Sequence, residues 1–339
     1  MTLSPIGVVI AQLGTPDAPT AQALRPYLKQ FLSDMRVIDY SPWLWQPLLR
    51  GIILNTRPRR SAKLYARIWR EDGSPLLVFS QQTVEGVQQR LGDGYRVVLG
   101  MRYGNPSIAN AIAQLENFGI DRIVVAPMFP QCSSTTTLSI YDAVYQAAAG
   151  RRCPLFHERK RHAPTLRFVD PFYDRPGYIE AMRDHLTTLV AALPERPDHY
   201  VVSFHGVPQR YVTTGDPYRG QCERTAHLLA EAMGWRDSDW RLCFQSRFGP
   251  ETWLEPATDT TLEGLSAQGI QRPLIFSPGF VADCLETLDE LGNEGRHQFA
   301  EGGGDPDRFT FAPCLNAHAG WLDFLAGLIA ENAGGWSAR

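Results

Sequence analysis

No uninterrupted apolar stretch in this sequence reaches the roughly 20 residues that a bilayer-crossing helix needs, so a membrane-spanning protein is not expected. No C-x-x-C pair occurs among Cys132, Cys153, Cys222, Cys243, Cys284 and Cys314. That spacing disfavours a zinc ribbon or a dithiol redox site and leaves reduced thiols in a cytosolic protein as the expectation. Positive charge is not in excess: 33 Lys and Arg stand against 36 Asp and Glu, for a net charge of -3. A nucleic-acid partner therefore has no electrostatic footprint. The first apolar run, Ile6 to Ile10, has no basic residue before it and runs into Gly14-Thr15-Pro16-Asp17, so it reads as a first strand and not as a signal peptide. Neither G-x-G-x-x-G after that strand nor G-x-x-x-x-G-K-[ST] is present, which removes the main warrant for dinucleotide and P-loop chemistry. H-E-x-x-H is also missing, and with it the case for a permanent catalytic zinc.

What is present is an ordinary globular composition, 44% hydrophobic and 20% charged, in 339 residues. That length implies two domains. Short β-branched runs alternate with amphipathic ones: GVVIAQL, YRVVLGMRY, a helix near Ile108 to Asn117, DRIVVAPMF and a helix after Thr137. The second half repeats the rhythm with HYVVSFHG, a helix from Tyr218 to Met233, WRLCFQSRFG, a helix around Thr258 to Gln268, and RPLIFSPGF. A β-α-β alternation predicts α/β architecture, two Rossmann-like doubly wound domains with parallel sheets. The join is expected over 147–164, where Gly150, Pro154 and charged residues break the helix. A strand FTFAP and a helix Ala319 to Asn332 close the chain. The resulting division is 1–150 plus 318–339 for the first domain, with the last helix packed back on it, and 151–317 for the second.

In open parallel sheets ligands sit outside the carboxyl ends of the strands. His205 ends an apolar strand and is followed by Gly206, Val207 and Pro208, a turn that would deliver its side chain to that crevice. The plainer alternative is a strand-end histidine bonded to a backbone carbonyl. The segment from Phe280 to Glu294 places Asp283, Glu286, Glu290 and Glu294 at i, i+3, i+7 and i+11, one acidic stripe if the segment is helical. The plainer alternative is a solvated face with Asp283 as its cap. An imidazole opposing a carboxylate, with further carboxylates leading away, suits transient binding of a divalent first-row metal by nitrogen and oxygen donors.

LGTPDAPT, DGSPL, MRYGNP, SFHGVP, LCFQSRFGPETWLEP and SPGFVADCLETLDEL, in this order over nearly the whole chain, resemble the motifs of the ferrochelatases. The resemblance implies a chelatase-like fold with a porphyrin cleft between the two halves and insertion of Fe(II) into protoporphyrin IX to give haem. It places the family's histidine on His205 and its metal-site or proton-handling glutamate on Glu286, with Asp283, Glu290 and Glu294 continuing an acidic path. It further implies that Phe280 and Trp253 pack near the macrocycle and that Arg57, Tyr65 and Ser74 match porphyrin-side positions. Arg102, Tyr103, Ser133 and Gln245 are further substrate-binding candidates.

A free porphyrin hides four nitrogens in a plane and carries two N–H protons, so metal entry needs a bent ring and a proton acceptor. Imidazole, with an ordinary pKa near 6.5, is the better base at neutral pH than a carboxylate near 4.3. His205 is accordingly expected to accept the proton and Glu286 to hold iron and relay, with the opposite assignment left open. Relatives that act on coproporphyrin carry a tyrosine before the G-T-P turn; Leu13 there favours protoporphyrin IX. A second imidazole, common after the aspartate in relatives, is replaced by Cys284, expected to be a small buried residue. Relatives with a [2Fe-2S] cluster commonly carry a cysteine-rich C-terminal extension, whereas no cysteine follows Cys314 here, so the resemblance implies no cluster and no permanent cofactor is expected. The resemblance implies that 41–60 form a lip of the cleft, and their aromatic, aliphatic and basic residues suit contact with a membrane surface, or else an ordinary helix covering the sheet. The expected protein is a monomer in the cytoplasm or peripheral to the inner membrane, with Fe(II) and protoporphyrin IX as its partners. Rival readings are a chelatase for another metal or tetrapyrrole and a non-catalytic porphyrin carrier.

Overall fold

Strands buried on both faces read as near-continuous apolar runs, and that is what IGVVIAQL and HYVVSF are. In the computed structural model, which describes residues 5–150, 160–247 and 249–336, both segments lie inside parallel sheets. The first sheet is formed by β1 (Ile6–Thr15), β2 (Tyr95–Gly104), β3 (Arg122–Pro127) and β4 (Thr165–Phe168), in the order β2-β1-β3-β4. The second is formed by β5 (His199–His205), β6 (Trp240–Gln245), β7 (Pro273–Phe276) and β8 (Thr310–Phe311), in the order β6-β5-β7-β8. Every ladder between these strands is parallel.

The chain divides into two units. Unit 1 takes the described residues up to Phe129, Ser133–Asp170 and those from Leu322 on; unit 2 takes Pro130–Cys132 and Pro171–Trp321. Most of the expected join, 151–159 with Cys153, lies outside the described residues. Beyond it Thr165–Phe168 pairs with β3 and completes the first sheet. The last helix, Ala319–Asn332, ties into unit 1 where Asp323 meets Arg90 at 2.5 Å and the Asn332 carbonyl accepts from Arg167.

The core of unit 1 is built from Val9, Val98, Ile112, Leu115, Val125 and Ile140, between the sheet and the helices Ile108–Asn117 and Thr137–Ala149. Unit 2 packs Val202, Phe204, Phe244 and Leu254 on one side of its sheet and Val201, Cys243, Ile275 and Phe299 on the other. Each fully buried aromatic or aliphatic side chain contributes about 1.5–3 kcal/mol. The two apolar faces therefore hold β5 and β7 rigidly where their carboxyl ends emerge. Among the described residues no helix is long and apolar enough to cross a membrane.

Candidate active site at the carboxyl ends of β5 and β7

In unit 2 the strand order reverses between β5 and β7, and at such a switch point a crevice opens outside the carboxyl ends. His205 is the last residue of β5 and the acidic segment follows β7, so topology alone brings both to one place. Ser203 and Phe204 are buried and His205 is half-buried. The chain then turns at Gly206, whose N–H donates to the Gln245 carbonyl at 2.8 Å. A Cβ at this position would lie 2.8 Å from that carbonyl oxygen and 3.2 Å from the Trp253 ring, so only glycine fits.

The imidazole Nδ1 of His205 lies 2.6 Å from the Gly206 carbonyl oxygen. A carbonyl only accepts, so Nδ1 carries the hydrogen and the lone pair sits on Nε2. The carbonyl bond of the plainer alternative is present, and it sets the tautomer. His205 presents one basic nitrogen, able to take a proton or a metal.

The acidic segment is not a regular α-helix. One turn, Leu285–Thr287, gives way to a π-helical stretch, Leu288–Glu294, before α-helix resumes at Gly295–Glu301. A helix that gives up its i→i−4 ladder frees backbone carbonyls that need other donors. Gln245 supplies one: its Oε1 accepts from the Ser203 hydroxyl at 3.1 Å and its Nε2 donates to the Glu286 carbonyl at 2.7 Å. Gln245 pairs in register with His205, so one side chain ties the histidine-bearing strand end to the glutamate-bearing turn.

The expected four-carboxylate stripe splits in two. Asp283 precedes the helix, whose cap is Cys284, and is 2% exposed. Its Oδ1 accepts from Thr287 Oγ1 and the Cys314 N–H, at 3.0 and 3.1 Å, and its Oδ2 from Asn316 Nδ2 at 2.7 Å. Glu286, Glu290 and Glu294 continue in steps of four, the first two half-buried and the third exposed. Ser246 Oγ donates to the Glu290 carboxylate, and Gln245 Nε2 lies 3.4 Å from the same oxygen. Burial and the neighbouring charge of Glu286 outweigh these donors and push the Glu290 carboxyl up to about 7. Burial also holds the thiols of Cys284 and Cys314 well above their ordinary range, so both are protonated and neither is a thiolate ligand. Phe280 and Trp253 are half-buried beside this arrangement. The Tyr178 hydroxyl donates to the Pro278 carbonyl at 2.5 Å and braces the turn that carries Phe280.

The candidates in unit 1 are more enclosed. Tyr65 is buried, its ring edge-on to Tyr27 and Trp69, and Ser74 shares a 2.7 Å hydroxyl bond with Thr15. Arg102 Nη2 reaches Asp34 Oδ2 at 2.5 Å, and the Tyr103 and Ser139 hydroxyls donate to the same oxygen. Burial opposes ionisation of Asp34, yet the bonds from Ser139, Tyr103 and the Arg36 backbone, with the Arg102 charge, hold its carboxyl below the ordinary value. A polar recess of about 500 Å³ borders this network, lined by Ser33, Asp34, Met35, Arg36, Arg102 and Asp142 among others. Ser133 is buried against Thr135, and Arg57 is half-buried on the helix Leu54–Ile68.

Sequence reasoning nominated neither Ser246 nor Asn316. Both adopt positive φ, 67° and 49°, which is uncommon outside glycine and clusters at functional sites. The usable signal for Ser246 was its place directly after a strand; Asn316 had none.

The ferrochelatase family model matches residues 5–333. The chain is 45% identical to the ferrochelatase of Alcanivorax borkumensis, covering 98% of this chain and 95% of that one. It is 43% identical to the ferrochelatase of Marinobacter nauticus, over 98% and 87%. It is 44% identical to ferrochelatase 1 of Shewanella oneidensis, over 97% and 96%. Among solved structures it is similar to SirB from Bacillus subtilis with Fe3+, at a TM-score of 0.55 and 12% identity, with 99% and 98% of the two chains covered. That likeness concerns the fold, two parallel four-stranded sheets flanked by helices. On its matched length and on these identities, the chain belongs to the ferrochelatase family.

Proposed function

We propose that this protein is a porphyrin metal chelatase, a lyase that inserts Fe(II) into protoporphyrin IX to form protohaem, the last step of haem biosynthesis. The observation that carries the reading is the basic Nε2 of His205 at the same switch point as a run of carboxylates of graded exposure. Insertion releases both pyrrole N–H protons as the ion enters, so the ring leaves with its charge balanced and two protons must depart. His205 accepts a pyrrole proton at Nε2. Glu286 supplies an oxygen donor to the incoming ion, which is a substrate of the reaction. Glu290, near 7, takes up and releases protons around neutrality, and exposed Glu294 passes them to water. Asp283 holds the turn in place with both of its oxygens already engaged. Phe280 and Trp253 supply apolar wall for the ring.

No permanent cofactor or iron–sulfur cluster belongs to this reading. The protein acts in the cytoplasm as a monomer and touches the inner membrane peripherally. Trp43 and Leu44, 88% and 77% exposed, lie on the helix Pro42–Leu48 and Ile52, also exposed, on the π-helical stretch Leu49–Ile53 that follows, with Arg57, Arg59 and Arg60 next on Leu54–Ile68. No Asp or Glu occurs between Tyr40 and Glu71, so this apolar face carries only positive charge, the chemistry that anionic lipid attracts. Sedimentation with anionic liposomes at low salt tests that contact, and an unchanged pellet refutes it.

For the activity, Glu286→Gln is expected to quench porphyrin fluorescence on binding as wild type does while forming no metalloporphyrin. Retained turnover removes Glu286 from its assigned role.

A further inference from the structure

After β7 ends at Phe276, the segment bearing Phe280 and Glu286 has left the sheet. One residue beyond the last strand holds it at three points. The Asn316 N–H donates to the Val281 carbonyl at 2.8 Å, its Oδ1 accepts from the Asp283 N–H at 2.8 Å, and its Nδ2 donates to Asp283 Oδ2 at 2.7 Å. The loop carrying Asn316 is itself fixed, because the Ala312 N–H donates to the Ile275 carbonyl and His185 Nε2 donates to the Pro313 carbonyl. Asn316 therefore joins the sheet to the first turn of the carboxylate helix. It does so at φ 49°, a left-handed conformation that is unfavourable for most non-glycine residues and that asparagine tolerates better than most. A glycine would adopt this backbone more easily but would lack the amide that makes two of the three bonds.

We propose that Asn316 is a positioning residue for metal insertion: its amide fixes where the helix Leu285–Glu294 begins and so aims Glu286 and Glu290. The proposal rests on the chelatase reading of Glu286. The helix has a second tether, from Gln245 and Ser246 to Glu286 and Glu290. Without the Asn316 amide the first turn loses two bonds at Asp283, keeps from outside the turn only the Cys314 N–H there and the backbone bond at Val281, and the carboxylates are held less firmly relative to His205. Phe280 keeps its brace from Tyr178 at Pro278, and residue 316 keeps its backbone N–H bond to the Val281 carbonyl, so the apolar wall and porphyrin binding are preserved.

The test uses the full-length protein with Asn316→Gly, which keeps the left-handed backbone, and the exchanged pair Asp283→Asn with Asn316→Asp, which keeps one donor facing one acceptor. Hydrogen exchange followed by mass spectrometry should show peptides of 281–294 exchanging about tenfold faster or more in Asn316→Gly, with β5 and β6 peptides unchanged and slow exchange restored in the exchanged pair. Steady-state insertion by Asn316→Gly should show KM for Fe(II) raised about tenfold, with KM for porphyrin within about twofold of wild type. Wild-type exchange in Asn316→Gly, acceleration spread through the whole unit, or an unchanged KM for Fe(II) with a normally active wild type each overturns the role of Asn316. Wild type that binds porphyrin and inserts no metal overturns the chelatase reading instead, and is seen without any variant.

Discussion

Strand β5 has a histidine at each end, and the two are chemically opposite. His199, at the amino end, is 2% exposed, and its Nε2 accepts from Arg241 Nε at 3.0 Å. Burial, with the Arg241 charge, lowers its pKa and keeps it neutral. His205, at the carboxyl end, spends Nδ1 on a carbonyl and keeps the lone pair of Nε2. The same residue type on the same strand has its basic nitrogen occupied at one end and available at the other. The two sheets repeat the contrast. They share one strand order, yet at the carboxyl ends of unit 1 Thr15 satisfies Ser74 and Asp34 satisfies Arg102, while unit 2 leaves a basic imidazole and a near-neutral carboxyl. Fold does not assign function; the balance of satisfied and available polar groups does.

The sharpest way to break the comparison is to truncate both histidines. His205→Ala is expected to lower insertion by at least about 10²-fold, with chemical denaturation shifted by no more than about 0.5 kcal/mol. His199→Ala should do the reverse, keeping turnover and costing about 1–3 kcal/mol as Arg241 loses its acceptor. Loss of activity in His199→Ala would dissolve the distinction. In unit 1, Asp34→Asn leaves Arg102 without its partner carboxylate and should cost about 3 kcal/mol in a urea melt, with KM for Fe(II) unchanged.

Much of this was legible beforehand because buried parallel strands and their helices announce themselves by period. The helices Ile108–Asn117, Tyr218–Met233 and Ala319–Asn332 begin and end where the sequence indicates. β4 was not legible: TLRF is short, carries Arg167 and is not fully buried, so it shows no apolar run. The expected helix over 258–268 is two pieces, Thr258–Glu263 and a short turn Ser266–Gln268, interrupted at Gly264. The places of His205 at the end of β5 and of Glu286 after β7 were legible from strand-end position and from resemblance. The π-helical stretch was not, because no spacing of acids distinguishes it from an α-helix, and Asp283 consequently looked like part of the stripe. Ser246 and Asn316 act through left-handed backbone and partners distant in sequence, which no local pattern encodes.

A smaller effect sharpens the contrast between carboxylates. A relay must accept protons, so wild-type insertion should rise with pH through about 7, and Glu290→Gln should remove that inflection and lower the rate about tenfold. Stability carries the opposite sign. A carboxyl raised above its ordinary value of 4.5 favours the folded state most at low pH, and that contribution is lost as pH rises through about 7, on the order of 2–3 kcal/mol. Melts of wild type and Glu290→Gln at pH 5 and 8 read the difference directly. The smallest expected effect belongs to His199: with its folded pKa below 6.5, its contribution is present above 6.5 and lost as pH falls, so His199→Gln should flatten the acid side of the stability profile, read by melts across that range.

The most direct test of the central claim is anaerobic incubation of the pure protein with protoporphyrin IX and Fe(II), followed by absorbance, beside the His205→Ala variant. The account predicts haem formation by wild type and its loss in the variant. Porphyrin bound but never metallated by wild type, or equal haem formation by both proteins, would contradict it.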